Sequence, residues 1–200
     1  MEIYSSAEGL IFDCDGTLAD TMPLHWKSWQ TTAREFGFHF PEERFYQLGG
    51  VPSIQILEQI IREQSLNFVA AEAAEAKESA YLSMISEVSP IDEVVAIANH
   101  FSGRIPLAVA SGGTREVIES VLNHMRIRQL FSAVVTSESV QRQKPSPDIF
   151  LEAARQLGAA PEKCIGFEDA DLGMQAIAAA GMMAVHVNSL RKIIPSRSEK

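Results

Sequence analysis

Short apolar runs recur along the chain, and each of them ends at a polar or glycine-rich turn. The runs are GLIF at 9–12, PLAVA at 106–110, AVVT at 133–136, CIGF at 164–167 and AVHV at 184–187. Unbroken apolar runs of this length are typical of strands that are buried on both faces of a parallel sheet. Helical periodicity lies between most of them, at 114–125, 147–157 and 171–180. Strands that alternate with helices predict the α/β class, with a doubly wound parallel sheet.

The alternation is interrupted after the first predicted strand, because helical patterns replace the second strand. Three amphipathic patterns occur there, at 23–37, 54–64 and 67–88. The first ends at Gly37, a suitable C-cap, and the third is rich in the strong helix formers Ala, Glu and Lys. We expect a helical insertion at 22–87 within a core formed by 1–21 and 88–200. The alternative is that these helices simply cover one sheet face, although a crossover between parallel strands needs far fewer residues.

The composition is that of an ordinary globular protein. The chain has 200 residues, of which 46% are hydrophobic and 22% charged, and this length suits one domain with a modest insertion. The net charge of −9 gives no help to nucleic-acid binding, so we expect no nucleic-acid partner. No apolar run approaches the ~20 residues of a membrane span, and no secretory signal precedes the first strand. Two cysteines, Cys14 and Cys164, fit a reducing compartment, and we expect a cytoplasmic monomer that makes no contact with membranes.

Three carboxylates crowd the segment that follows the first strand. Asp13, Asp15 and Asp20 all lie within FDCDGTLAD at 12–20. Like charges this close repel one another, and a carboxylate at the end of a buried strand is costly unless something compensates it. The segment is therefore either a polar turn without function or a place where carboxylates hold a cation.

Polar residues also follow the later strands, and they favour the cation. Ser111–Gly113 ends the second strand, Glu168 and Asp169 end the fourth, and Lys144 lies between these segments in the sequence. Ligands of open α/β sheets bind at the carboxyl ends of the strands. Carboxylates suit Mg²⁺, a Ser-Gly-Gly turn that opens a helix can face an anion, and a lysine supplies a compact positive charge. The set predicts a Mg²⁺ site beside a phosphate-binding loop.

Four motifs, in this order, resemble those of the haloacid dehalogenase superfamily of phosphotransferases. They are DCDGTLAD at 13–20, ASGG at 110–113, KPSPDIF at 144–150 and GFEDADLG at 166–173. The predicted insertion matches the helical cap domain of that family in size and position. Within the superfamily, the chain resembles most the β-phosphoglucomutase-like subgroup of sugar phosphatases and mutases. The resemblance implies a Rossmann-like core with an inserted helical cap, Mg²⁺ as cofactor and a small phosphorylated sugar as partner.

The resemblance also implies a role for each motif residue. Asp13 would be the nucleophile that forms an aspartyl-phosphate, and Asp15 the general acid and base, with its backbone carbonyl on the metal. Lys144 would offset the charge on Asp13 and on the phosphoryl group. The residues implied for binding are Ser111 and Gly112 for the phosphate, and Asp13, Asp15, Asp169 and Glu168 for the metal. Glu168 would bind the metal either directly or only through water.

Further candidates lie close to the nucleophile in sequence. His25 and Trp29 are four residues apart on the first predicted helix and therefore share a face. This pair resembles the HxxxW stretch of the mutase subgroup, so we expect His25 to lie near the substrate and Trp29 to serve mainly in packing. Thr17 is expected to brace the loop by hydrogen bonding, and Asp20 to cap the first helix or hold the loop.

Ser53 is the residue that favours one of the two activities of the subgroup, phosphatase, over the other, mutase. The mutase has an arginine at about this position, which grips the second phosphate of its substrate, and a serine cannot make that contact. The surrounding loop at 48–57 resembles that of bacterial fructose-1-phosphate phosphatases. We therefore expect a Mg²⁺-dependent phosphatase of small sugar monophosphates such as fructose 1-phosphate. The alternatives are a β-phosphoglucomutase-type mutase and a non-enzymatic phospho-acceptor receiver, and both Asp15 and the insertion argue against the receiver.

Overall fold

The computed structural model describes residues 4–191, which contain a five-stranded parallel sheet. The strands are β1 (Gly9–Phe12), β2 (Leu107–Ala110), β3 (Ala133–Val135), β4 (Cys164–Glu168) and β5 (Met183–His186). Their order in the sheet is β3-β2-β1-β4-β5, and every neighbouring pair is parallel. β1 therefore lies at the centre, where the strand order reverses, and the residues that follow it open onto the crevice in which such sheets bind ligands.

Helices bury both faces of the sheet, as the unbroken apolar runs predict. These helices are α5 (Asp92–Phe101), α6 (Arg115–His124), α7 (Asp148–Leu157) and α8 (Asp171–Ala179), and the short α9 (Asn188–Arg191) follows β5. Leu10 and Phe12 of β1 share one hydrophobic cluster with α5 and α6, whereas Ile11 packs in a second cluster with α7 and α8. Alternate residues of one strand thus face opposite layers, which confirms the predicted doubly wound, Rossmann-like α/β fold.

Four helices lie between β1 and α5, and they pack on one another. They are α1 (Met22–Phe36), α2 (Glu42–Gln47), α3 (Ser53–Gln64) and α4 (Ala70–Leu82). α4 contacts both α1 and α3, and Trp29, Phe38 and Phe45 belong to a hydrophobic cluster separate from those of the sheet. The sequence pattern does not predict α2, because six residues are too few to show a helical period. We call residues 22–87 the helical insertion, and its status as a separate domain stays a prediction.

The chain enters and leaves the helical insertion through two adjacent segments. The backbone N–H of Asp20 donates to the carbonyl of Ser89 at 2.9 Å, and the N–H of Ile91 donates to the carbonyl of Leu18 at 2.9 Å. The N-cap of α1 is Thr21, and no side chain caps this helix. Of the two expectations for Asp20, the structure contradicts capping the helix. The contact with Ser89 comes from the backbone of Asp20, so a role of its side chain in holding the loop stays a prediction.

None of the helices in residues 4–191 combines the length and apolarity that are needed to cross a bilayer. The basic C-terminal segment RKIIPSRSEK, for which the sequence predicts disorder, lies outside the described residues from Lys192 onward.

Candidate active site

The loop that follows β1 is a compact turn that carries two carboxylates, Asp13 and Asp15, at the sheet edge. The carbonyl of Cys14 accepts hydrogen bonds from the backbone N–H groups of Leu18 at 2.9 Å and Ala19 at 3.0 Å. Gly16 adopts a positive φ of 79°, and a Cβ at this position would overlap the carboxylate of Asp169. Glycine is therefore required there on both counts, since it alone combines this backbone conformation with the close approach of a neighbouring chain segment.

Lys144 joins the predicted nucleophile to the end of β4. Its Nζ lies 2.7 Å from Oδ1 of Asp13 and 2.6 Å from Oε1 of Glu168, and all three side chains are buried. Burial raises the pKa of Asp13 well above its ordinary value, although the charge of Lys144 opposes this. Burial alone would lower the pKa of Lys144, but the two carboxylates raise it above its ordinary value. Lys144 is therefore a permanent cation beside the nucleophile.

Three carboxylates form a group that could hold a metal ion. Asp13, Glu168 and Asp169 each offer an oxygen, and these oxygens lie within 4.8 Å of one another. Burial and the nearby charge of Glu168 raise the pKa of Asp169 to about 7, because negative charges accumulate here with little water to screen them. A donor set of carboxylate oxygens alone fits a hard divalent cation such as Mg²⁺, whose charge would favour the ionised form of Asp169.

The local contacts fix the orientation of these carboxylates. Oε2 of Glu168 accepts hydrogen bonds from the backbone N–H groups of Asp169 and Ala170, both at 2.8 Å. Thr17 donates its hydroxyl to Oδ1 of Asp169 at 3.0 Å, which is the bracing contact that the sequence predicts for Thr17. Whether Glu168 would bind a metal directly or through water stays a prediction.

Asp15 lies apart from that group and contacts the helical insertion instead. Its Oδ1 accepts a hydrogen bond from the hydroxyl of Thr21 at 2.7 Å and lies 3.0 Å from Nε2 of His25. The other ring nitrogen of His25, Nδ1, lies 2.9 Å from Nζ of Lys77. Because an ammonium group only donates, Nδ1 accepts from Lys77, and the ring proton lies on Nε2 and is donated to Asp15.

These contacts determine the charge of Asp15. Burial alone would raise its pKa, but His25, Thr21 and the charge of Lys77 lower it to about 2. The imidazole of His25 also stacks on Tyr81, with ring centroids 4.0 Å apart and planes 7° apart. Both edges and one face of the imidazole are thus occupied by protein groups, and the predicted contact between His25 and substrate stays a prediction.

Sequence reasoning missed the contribution of Lys77 and Tyr81. With Ala73 they form the buried face of α4, at positions four residues apart. This spacing was the available signal, because a lysine in line with buried apolar residues on a helix face needs a partner to compensate its charge. This signal is easily overlooked, because the many Ala and Glu residues of α4 make the helix resemble a solvent-exposed one.

The predicted phosphate-binding turn follows β2 and lies next to a loop of the insertion. Ser111 is buried, and its Oγ accepts a hydrogen bond from the backbone N–H of Gly113 at 3.1 Å. A Cβ on Gly112 would overlap the carbonyl of Gly50, in the loop between α2 and α3. The absence of a side chain at Gly112 therefore allows a loop of the insertion to approach the turn closely.

A cavity of about 710 Å³ lies between the sheet edge and the insertion. The predicted site residues that line it are Asp13, Asp15, His25, Ser111, Gly112, Glu168 and Asp169. Lys144 lies behind this lining, bonded to Asp13 and Glu168. Trp29 is buried against Phe38 and Phe40, which confirms its predicted role in packing. The structure thus gathers residues from distant parts of the sequence around one volume large enough for a small ligand.

Comparison with known proteins places this arrangement in a family. A family model described as haloacid dehalogenase-like hydrolase matches residues 10–187. The fructose-1-phosphate phosphatase YqaB of Escherichia coli is 38% identical over 189 residues, which cover 94% of this chain and 100% of that protein. The β-phosphoglucomutase of Bacillus subtilis is 30% identical over 189 residues, with 90% and 83% covered.

Solved structures agree with the sequence matches. The crystal structure of a β-phosphoglucomutase from Clostridium difficile matches with a TM-score of 0.81 and 28% sequence identity, covering 93% of this chain and 88% of that one. The resemblance read from the four motifs is therefore confirmed, as is the predicted enzyme class of phosphoric monoester hydrolase. The chain belongs to the haloacid dehalogenase-like hydrolase family.

Proposed function

We propose that the protein is a Mg²⁺-dependent phosphatase that hydrolyses small sugar monophosphates, fructose 1-phosphate among them, through an aspartyl-phosphate. One observation carries the proposal. Asp13 is bonded to the permanent cation Lys144 at 2.7 Å, while Asp15, two residues later, is held by a separate set of contacts. One carboxylate is thereby prepared for attack on phosphorus and the other for proton transfer, and hydrolysis through a covalent intermediate needs both functions.

Each side chain of the site has a task in this reaction. A carboxylate oxygen of Asp13 attacks phosphorus in line with the sugar oxygen, and Lys144 balances the charge that builds up on the phosphoryl oxygens. Ser111 and the backbone N–H groups around Gly112 would orient the phosphate. Mg²⁺, when bound by Asp13, Glu168, Asp169 and the carbonyl of Asp15, would neutralise the crowded carboxylates and stabilise charge on the transferred group.

Asp15 acts in both halves of the reaction. It gives a proton to the departing sugar oxygen and later takes one from the water that attacks the aspartyl-phosphate. The contacts with His25 and Thr21 favour its ionised form, which suits the second half. In the first half Asp15 must carry a proton, so its hydrogen bond with His25 has to give way at that stage. The helical insertion would act as a cap that excludes bulk water while these steps occur.

A second candidate is a phosphomutase, which shares the first half-reaction, and the similarity to β-phosphoglucomutases favours it. A mutase has to retain a bisphosphate intermediate while this intermediate reorients in the active site. Retention needs a cation that binds the second phosphate. Ser53 supplies no charge, and its hydroxyl donates to a carboxylate, that of Glu78, at 2.7 Å. Water is therefore the better acceptor for the phosphoryl group of Asp13.

The test measures both the product and the metal requirement. With Mg²⁺, we expect inorganic phosphate from fructose 1-phosphate without a bisphosphate activator, and no turnover in excess EDTA. β-Glucose 1-phosphate is then offered with a trace of β-glucose 1,6-bisphosphate. If glucose 6-phosphate forms faster than inorganic phosphate, the protein is a mutase. The cytoplasmic location and the monomeric state stay predictions.

A further inference from the structure

The wall of the cavity outside the candidate metal site is acidic. Four carboxylates outside the candidate metal site line the cavity: Glu75, Glu78, Glu116 and Glu138. Among the described residues of the lining, Lys77 is the only lysine or arginine. Its Nζ is already engaged by Nδ1 of His25 at 2.9 Å and by the carboxylate oxygens of Glu78 at 3.2 and 3.3 Å. Outside the candidate metal site, the cavity lining therefore holds several negative charges and little available positive charge.

Glu78 is the carboxylate of this wall that the structure orients most firmly. Oε1 accepts hydrogen bonds from the hydroxyl of Ser53 at 2.7 Å and from Nζ of Lys77, and Oε2 accepts from the same Nζ. The side chain is 20% exposed and lines the cavity. Two carboxylate oxygens provide about four acceptor positions, so Glu78 retains the capacity to accept hydrogen bonds from a ligand.

A carboxylate held in this way discriminates between ligands by charge. A sugar hydroxyl can donate to it, and a charge-assisted hydrogen bond in a cavity is stronger than the same bond in water. A second phosphate or a carboxylate on the ligand has no proton to donate at neutral pH, and it would be placed beside a like charge where the one nearby cation, Lys77, is already bonded to Glu78 and His25. Repulsion of the wrong ligand gives specificity as effectively as attraction of the right one.

We propose that Glu78 is a specificity-determining residue that selects phosphomonoesters whose remaining part is uncharged and carries hydroxyl groups. Ser53 and Lys77 hold its carboxylate in place, and Glu75, Glu116 and Glu138 add to the negative potential of the cavity. Substrates with a second anionic group are rejected. This inference rests on the proposed function, because it concerns the sugar end of a substrate whose phosphate lies at Asp13.

The experiment compares two substrates that differ by one phosphate. Fructose 1-phosphate and fructose 1,6-bisphosphate are hydrolysed separately, with release at the 1-position followed, and kcat/KM is measured for each. We expect the wild type to prefer the monophosphate at least tenfold. Glu78→Gln keeps the shape of the side chain and removes its charge, and it should reduce that preference about tenfold, by raising KM for the monophosphate and lowering it for the bisphosphate. Glu75→Gln, at an exposed position of the same wall, should change the preference in the same direction by about twofold.

Glu72→Gln is the matched control, since this exposed glutamate belongs to the same helix and does not line the cavity. It should leave both substrates unaffected. If the monophosphate is hydrolysed but the preference is equal in the wild type, Glu78→Gln and Glu75→Gln, this inference is wrong while the proposed function stands. If neither substrate releases phosphate and other sugar monophosphates also fail, the proposed function is wrong and the inference fails with it.

Discussion

The two sides of the active-site cavity are built in different ways. On the sheet side, Asp13, Glu168 and Asp169 meet one cation, Lys144, so negative charge remains in excess within a buried volume. On the side of the helical insertion, hydrogen bonds connect five side chains in series. The series runs from Asp15 through His25, Lys77 and Glu78 to Ser53, so that each carboxylate contacts hydrogen-bond donors. The sheet side thus needs a further cation, whereas the side chains from Asp15 to Ser53 on the insertion side bond to one another.

This difference indicates a division of labour. The sheet side keeps an excess of carboxylates that a bound metal cation would compensate, and such a cation together with Lys144 would also offset the charge of a phosphate, which is suitable for electrostatic catalysis of phosphoryl transfer. The insertion side positions Asp15, which we propose as the acid and base, and Glu78, which we propose contacts the rest of the substrate. Substitutions on the sheet side should therefore affect phosphoryl transfer and metal binding, whereas substitutions on the insertion side should affect proton transfer and substrate preference.

The largest expected effect concerns the sheet side. Asp13→Asn removes the nucleophilic carboxylate, so phosphate release should fall by about 10³-fold or more, while the fold is retained because the side chains have nearly the same shape. Assays of phosphate release measure the loss of activity, and circular dichroism shows whether the fold is retained. Two aspartates that do not line the cavity supply the controls, Asp92→Asn and Asp148→Asn, and both variants should retain activity. Activity of Asp13→Asn above a thousandth of the wild type would contradict the assignment of the nucleophile.

The next effect concerns the residue at which the two sides meet. Asp15→Asn removes the proton donor and acceptor but keeps the backbone carbonyl that we assign to the metal, so kcat should fall by ~10²–10⁴-fold while Mg²⁺ affinity is retained. Kinetics at varied Mg²⁺ and calorimetric titration of Mg²⁺ separate the two quantities. A variant that loses Mg²⁺ affinity but turns over at the normal rate in saturating metal would identify Asp15 as a ligand rather than a catalyst.

The same difference explains how far the sequence could predict the site. Asp13, Ser111 and Glu168 follow apolar strands, and parallel strands bring their carboxyl ends to one edge, so strand recognition alone was sufficient to place them together. Lys77 and Tyr81 lie on helix α4, and their partners depend on how α4 packs on α1. Helical periodicity predicts which residues share a face, but it does not predict which face of another helix they meet, and so the contact with His25 could not be predicted.

A smaller effect should follow from a change on the insertion side. Lys77→Met keeps the aliphatic stem and removes the charge that orients His25, so Asp15 loses its fixed position and kcat should fall by up to about 10²-fold. Because Lys77 also lowers the pKa of Asp15, its loss should raise that pKa. The first half-reaction needs protonated Asp15, so the alkaline limb of the kcat/KM profile should move to higher pH. Lys27→Met, on the exposed face of α1, is the control. An unchanged pH profile with a reduced kcat would mean that Lys77 serves only the packing of α4.

The smallest effect is a pH dependence of stability that belongs to the sheet side alone. The pKa of Asp169 is about 7 in the folded protein, against an ordinary value of 3.8, and that of Asp13 is also raised. For Asp169 the folded state binds more protons than the unfolded state between these two values, so the free energy of unfolding of the metal-free protein should decrease as pH rises from about 4 to 7, by up to about 1.4 kcal/mol per pH unit, and Asp13 should act in the same direction. Thermal unfolding in EDTA at several pH values measures this slope.

Addition of Mg²⁺ and two substitutions test whether the slope of stability against pH comes from the sheet side. Saturating Mg²⁺ binds the ionised carboxylates of the folded state, so it should stabilise the protein more at pH 7 than at pH 5 and flatten the slope. Asp169→Asn cannot ionise and should reduce the slope without Mg²⁺. The insertion side should not contribute, because the pKa of Asp15 is lowered to about 2 and its stabilisation is lost only at more acidic pH. If Asp169→Asn and Asp13→Asn both retained the full slope, the excess negative charge would have to lie outside the sheet side, and the contrast between the two sides of the cavity would be wrong.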